Sequence, residues 1–315
     1  MDFSLTAEQE QLREVARRFL GDHYPPDRVA AAADAGGDPG AWSALARLGW
    51  CDTGLIERSV LAEECGYALL PAPWWSALAL AVPPERPVAI ADGVFTAEAG
   101  PGADGTERWR VTGSAAGVPD VLAVDAVLVS DRVRTFEVAV SACTLTPVDG
   151  VDPLRAGADL VCSGAPALER PPVQDRRISV LLAAEAVGVA RRALDFAVEH
   201  AKVREQFGRP IGSYQGVAFP LADCLVVTET ARSLVYRAAW LVSEEDDRDR
   251  VGVAMALPAA RQAAITACEQ AIQTLGGLGM TWEHPLHHWY RRALWLQAYG
   301  VADEECFERV AAALL

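Results

Sequence analysis

The chain has 315 residues, with 28 Lys+Arg against 43 Asp+Glu and a formal net charge of -15. Nonspecific nucleic-acid binding draws its free energy from cations that replace counterions on phosphates, so a surface of this sign argues against that class of activity. With 51% hydrophobic and 23% charged residues, the chain can build a buried core and lacks the composition of a disordered protein.

In chain order, Thr6-Ala7-Glu8-Gln9 has the capping-box pattern, and Leu12, Val15, Ala16 and Phe19 follow at helical spacing, which predicts a helix over 6–20. Two more helices are expected over 42–49 and 56–70, the first ended by Gly49 and the second by the Pro71-Ala72-Pro73 breaker. Between 87 and 172 glycines and prolines punctuate short β-branched runs, Val121 to Val129 and Phe136 to Val140 among them. These read as strands of a small antiparallel sheet or barrel. From about 174 the helical period returns, with stretches near 175–203, 215–243, 252–275, 285–298 and 302–314. On the second of these Ala218, Leu221, Ala222 and Leu225 make a stripe of the kind that faces a core. Short connections such as 243–250 and alanine-rich faces suit a bundle. The expected fold class is α+β, mostly α: an N-terminal helical domain over 1–85, a central β domain over 86–172 and a C-terminal helical bundle over 173–315.

The seven cysteines, at 51, 65, 143, 162, 224, 268 and 306, form no CxxC pair and are odd in number. That argues against a disulfide framework or a zinc site and fits a reducing compartment, so a cytoplasmic location is expected. Met1 to Leu5 lacks the basic and apolar regions of a signal peptide. The most apolar stretch, 68–84, is broken by Pro71 and Pro73 and is too short to span a bilayer, so no membrane partner is expected.

Three constellations carry possible chemistry. Arg204 to Gln215 lies where one expected helix ends and the next begins, with Gly208, Pro210 and Gly212 in the turn. A helix start flanked by Arg204 and Arg209 can hold a pyrophosphate, and it can equally be a plain connection with solvated arginines; the residues alone leave both open. Gln273 to Gly279 is glycine-rich but follows a helix, so it lacks the strand that a Rossmann or P-loop site requires, and Gly276-Gly277 reads as a left-handed helix cap. Glu283, His284, His287 and His288 do not place three ligands on one helical face, and Pro285 interrupts them; no metal site is expected.

Several motifs together resemble the acyl-CoA dehydrogenase family of flavoenzymes. They are the opening Met1 to Gln9 with Leu12-Arg13, the run Gly188 to Ala197, Arg204-x-x-Phe-Gly-x-Pro-Ile with Gln215, Ala271 to Gly279, and Thr281-Trp-Glu-His-Pro. The resemblance implies FAD as cofactor, with Arg204, Gln206, Phe207, Gln215, Gln273, Gly276 and Gly277 contacting its adenosine-diphosphate half, largely that of a neighbouring subunit. It also exposes departures. Gly300 stands where the family's usual glutamate base follows a tyrosine, and Ile178, beside Ser179, stands at the alternative base position. The β-domain flavin motif is degraded to Thr96 through Asp104.

The resemblance therefore implies a shortened subunit with no catalytic residue of its own. Its partner would be a longer acyl-CoA dehydrogenase subunit in an α2β2 heterotetramer that binds most of the acyl-CoA, as in actinobacterial sterol side-chain breakdown. Two other readings stay open: an enzyme of secondary metabolism on the same fold, using Asp175, Glu185 or Glu283, and a flavin-free scaffold.

Overall fold

The computed structural model describes residues 5–38, 41–42, 48–80, 87–101, 107–246 and 248–315. Most of the helix expected over 42–49 and the end of the motif at 96–104 lie outside them. The chain divides into two compact units, one of residues 1–31, 53–70 and 175–315, the other of residues 32–52 and 71–174.

The first unit is helical. Helix α1 (Ala7–His23) starts at the expected capping box: Gln9 N–H donates to Thr6 Oγ1 at 3.3 Å and the Gln9 side chain accepts from Thr6 N–H at 3.0 Å. Helix α2 (Pro26–Ala35), straddling the unit boundary, was not legible as apolar periodicity because it is a run of alanines opened by a proline at a position where no N–H is needed. Helix α3 (Leu55–Ala68) ends before the prolines, at Leu69 in left-handed conformation (φ 54).

The long helices α5 (Asp175–Val203), α6 (Gln215–Ser243), α7 (Asp249–Leu275) and α8 (Leu286–Ala298) form the expected bundle, and α9 (Asp303–Leu314) packs on α7. Helix α7 has the length and apolarity to cross a bilayer, yet 72% of its most apolar window is buried inside the structure.

Helices α3 and α5 cross at two glycines. A Cβ on Gly188 would sit 1.9 Å from the Glu63 carbonyl oxygen, and one on Gly66 would sit 2.2 Å from the Glu185 carbonyl oxygen. Only hydrogen on both partners lets the backbones approach this closely.

The second unit holds helix α4 (Trp74–Leu80) and strands β1 (Val88–Ile90), β2 (Val94–Pro101), β3 (Glu107–Val118), β4 (Ala126–Ser130), β5 (Thr135–Ala139), β6 (Cys143–Val148) and β7 (Gly157–Arg170). They form one sheet in the order β1-β4-β5-β7-β3-β2, with β6 paired to β7. The expectation of a small antiparallel sheet or barrel is corrected at one edge, where β1 and β4 run parallel, Val88 opposite Ala126.

The strand expected over 121–129 begins only at Ala126. Asp120 turns left-handed (φ 60), and its buried carboxylate accepts from Trp75 Nε1 at 2.8 Å and Arg155 Nη1 at 3.0 Å, which bends 121–123 into a 3-10 turn. Phe95, Val111, Phe136, Val138 and Leu160 fill the sheet's core.

Candidate functional site

All the residues singled out above for cofactor contact lie in the helical unit. Beyond Val203 the chain makes a two-stranded hairpin, β8 (Glu205–Gln206) against β9 (Arg209–Pro210), with Phe207 (φ 53) and Gly208 (φ 80) at its tip. Two positive φ values suit a two-residue hairpin loop that prefers Asn-Gly, so a phenylalanine there is strained. Phe207 is also 93% exposed.

Tyr214 pins the hairpin from beneath, a role that sequence reading missed although the residue lies inside the motif. Its hydroxyl donates to the Gln206 carbonyl at 3.1 Å, its ring carries the Arg209 guanidinium at 4.0 Å, and it meets Phe207 edge-on at 6.5 Å. The Gln206 amide donates to the Glu205 carbonyl at 2.8 Å, folded back on its own strand.

Arg204 is exposed, its backbone fixed by Arg204 N–H to His200 O and Ile211 N–H to Arg204 O, both 2.8 Å. Among the described residues no carboxylate pairs with it. Burial, and then the Arg204 charge, hold the His200 pKa below its ordinary value. Gln215 opens α6, exposed.

Gln273, Gly276 and Gly277 are exposed at the far end of α7. Gly276 takes φ 62 and ψ -131, so the expected left-handed cap is corrected: the angle φ is positive, but the chain runs on into a 3-10 turn, Gly276–Met280. Because α5, α6 and α7 alternate in direction through short connections, this turn lies at the same end of the bundle as the hairpin. Just beyond this turn, the His284 ring meets Phe196 of α5 edge-on at 5.0 Å. Burial, with the charges of His200 and Arg192, lowers the His284 pKa. The structure thus gathers Arg204, Gln206, Phe207 and Gln215 on one turn, and Gln273, Gly276 and Gly277 on another at the same end of the bundle.

The stripe expected to face a core on α6 is corrected. Leu221 is buried, but Ala222 and Leu225 are exposed, and Phe219, Val226 and Val227 join them. The buried face is instead Leu221, Cys224, Thr228, Ala231 and Val235, one step around the helix.

The candidate acids separate clearly. Glu185 is fully buried and ion-paired to Arg292, itself fully buried. Asp175 and Glu283 are exposed, Asp175 at a helix start. Gly300 has φ 83 and no side chain to offer, and Ile178 is apolar. The segment around Gly300 is held by a buried arginine that sequence reading did not single out: Arg261 of α7 donates to the carbonyls of Tyr299 and, at 2.8 Å, Val301, and to Asp303 Oδ1 at 2.6 Å. His284 Nδ1 accepts from Leu286 N–H at 3.1 Å, and among the described residues no group of three His, Cys, Asp or Glu is placed to hold a metal.

Residues 174–315 match the family model for the acyl-CoA dehydrogenase C-terminal domain. An acyl-CoA dehydrogenase of Mycobacterium tuberculosis, IpdE2, is 32% identical over 308 residues, covering 91% of this chain and 91% of its own length. Among solved structures, a chain of the ChsE4–ChsE5 complex from Mycobacterium tuberculosis superposes with a TM-score of 0.87 at 23% identity, covering 100% of this chain and 99% of that one. A chain of the Tcur3481–Tcur3483 steroid acyl-CoA dehydrogenase gives 0.84, also at 23% identity, covering 98% of this chain and 97% of that one. At that identity the two structures establish the fold.

Proposed function

Because this chain belongs to the acyl-CoA dehydrogenase family, we propose that it is the baseless subunit of a heteromeric enzyme that oxidises the α,β bond of an acyl-CoA thioester. FAD is the cofactor, and when bound it would supply the acceptor for the hydride that leaves the β carbon. The observation that carries the reading is the pairing of an intact nucleotide-end constellation with two base positions, Gly300 and Ile178, that hold no carboxylate.

The bundle end fits a dinucleotide tail. Arg204 presents a forked guanidinium with no carboxylate partner among the described residues, and a forked donor matches a pyrophosphate. The free N–H groups at the start of α6 add to the same attraction. Phe207 offers an aromatic face that the chain holds in strained backbone without burying it. Gly276 and Gly277 leave backbone open to close approach, and Gln215 and Gln273 supply amide hydrogen bonds. None of these groups can remove the α proton; that carboxylate and most of the acyl-CoA site belong to a longer family partner.

The exposed apolar face of α6, from Phe219 to Val227, is surface that a partner chain would cover. The two solved relatives, one a complex of two proteins and one a steroid acyl-CoA dehydrogenase, support a two-chain assembly and a steroid side-chain thioester as substrate. An α2β2 stoichiometry and a cytoplasmic location complete the reading. The burial and pairing of Glu185 count against one of the three acids of the alternative chemistry.

Co-purification with a longer family chain tests this. The complex is expected to be yellow and active, and the isolated chain inactive. Arg204→Ala is expected to strip flavin from the complex with the helical signal unchanged. A colourless complex would point to a scaffold, and full flavin with full turnover in the isolated chain would reject the proposal.

A further inference from the structure

Cys143 and Cys162 are 19 residues apart in sequence, yet they face each other as direct partners across β6 and β7, with their sulfurs 3.6 Å apart. We propose that this pair is an oxidation site, which hydroperoxides convert to an intrachain disulfide tying β6 to β7 and which thiols restore. Directly opposed residues in an antiparallel pair have Cα atoms about 4.5–5.5 Å apart. That lies within the roughly 4.4–6.8 Å that a disulfide accepts, so side-chain rotation closes the gap and the backbone stays where it is.

The two sulfurs have unequal roles. Cys143 is half-buried on β6, whereas Cys162 is 1% exposed in the sheet's core. The contact with Cys162 holds the Cys143 thiol below its ordinary pKa against the opposing effect of burial; the same contact, with burial, pushes Cys162 far up. Cys143 is thus the accessible nucleophile and Cys162 the resolving thiol.

In the first step the Cys143 thiolate attacks the hydroperoxide. The O–O bond breaks, an alcohol (or water, from hydrogen peroxide) leaves after taking up a proton, and Cys143 becomes a sulfenic acid. In the second, the Cys162 sulfur attacks that sulfur, the S–O bond breaks, and water leaves with the Cys162 proton. Two thiols lose two electrons and two protons, and one hydroperoxide is reduced. Strand β6 pairs only with β7 within the described sheet, so the new bond clamps a strand otherwise held along one side.

The test treats the full chain with hydrogen peroxide, alkylates it under denaturing conditions and maps the tryptic peptides. Alkylated thiols are expected to fall from seven to five, with peptide 135–155 joined to 156–176, and dithiothreitol is expected to return all seven. Cys162→Ser should leave Cys143 as a sulfenic acid captured by dimedone, and Cys143→Ser should leave Cys162 alkylatable. Seven alkylated thiols after peroxide, or a linkage that omits either cysteine, would overturn the proposal.

Discussion

Gly188→Ala separates two opposed physical effects. Alanine is the better helix former, by about 1 kcal/mol, so a loosely packed site would gain stability. At Gly188 the added methyl would lie 1.9 Å from the Glu63 carbonyl oxygen and 2.7 Å from the Tyr67 nitrogen, both backbone atoms of α3. No side chain can swing aside, so α3 and α5 must separate by more than 1 Å to reach ordinary contact distance. Overpacking of that kind costs roughly 3 kcal/mol, which leaves a net loss of about 2 kcal/mol. Urea unfolding followed by circular dichroism should show a lower midpoint with an unchanged slope. Gly216→Ala, where nothing lies within 4 Å of the new Cβ, is the control and should be neutral or slightly stabilising. A Gly188→Ala protein as stable as its parent would refute the close crossing.

Three further outcomes are expected. Arg292→Ala removes the ion-pair partner of the buried Glu185 carboxylate and should cost about 3–5 kcal/mol, and Glu185→Leu combined with Arg292→Met should recover most of it, as read by the same denaturation. Arg261→Ala removes the donors to Tyr299, Val301 and Asp303, and hydrogen exchange over 299–314 should accelerate while the interior of α5 stays protected. Burial chiefly, opposed by the Arg17 hydrogen bond and charge, raises the Glu64 pKa above 4.5. A raised folded-state value gives a stability contribution that is complete below 4.5 and lost as pH climbs through the folded value. Glu64→Gln should therefore flatten the decline of stability with pH above 4.5, and an unchanged slope would count against the shift.

The long C-terminal helices were legible because turn residues and the 3.6-residue period agree there, and α5 and α6 begin and end where the sequence placed them. The start of β4 was hidden because Asp120, Trp75 and Arg155 come from distant parts of the chain, and their pairing overrides the β propensity of Val121 to Val124. The α6 stripe misled for a different reason. Ala218, Leu221, Ala222 and Leu225 have the right spacing, but periodicity reports that a face is apolar and says nothing of whether this chain covers it. For the candidate site, the motif named Arg204 and Phe207, whereas the support from Tyr214 and the grip of Arg261 depend on contacts that no spacing rule encodes.

Arg261 grasps the stretch from Tyr299 to Val301 by main-chain carbonyls, which every amino acid carries. The route of that loop is thereby insulated from the identity of the side chains along it. Side chains along that stretch can therefore change from one sequence to another without the loop drifting out of place.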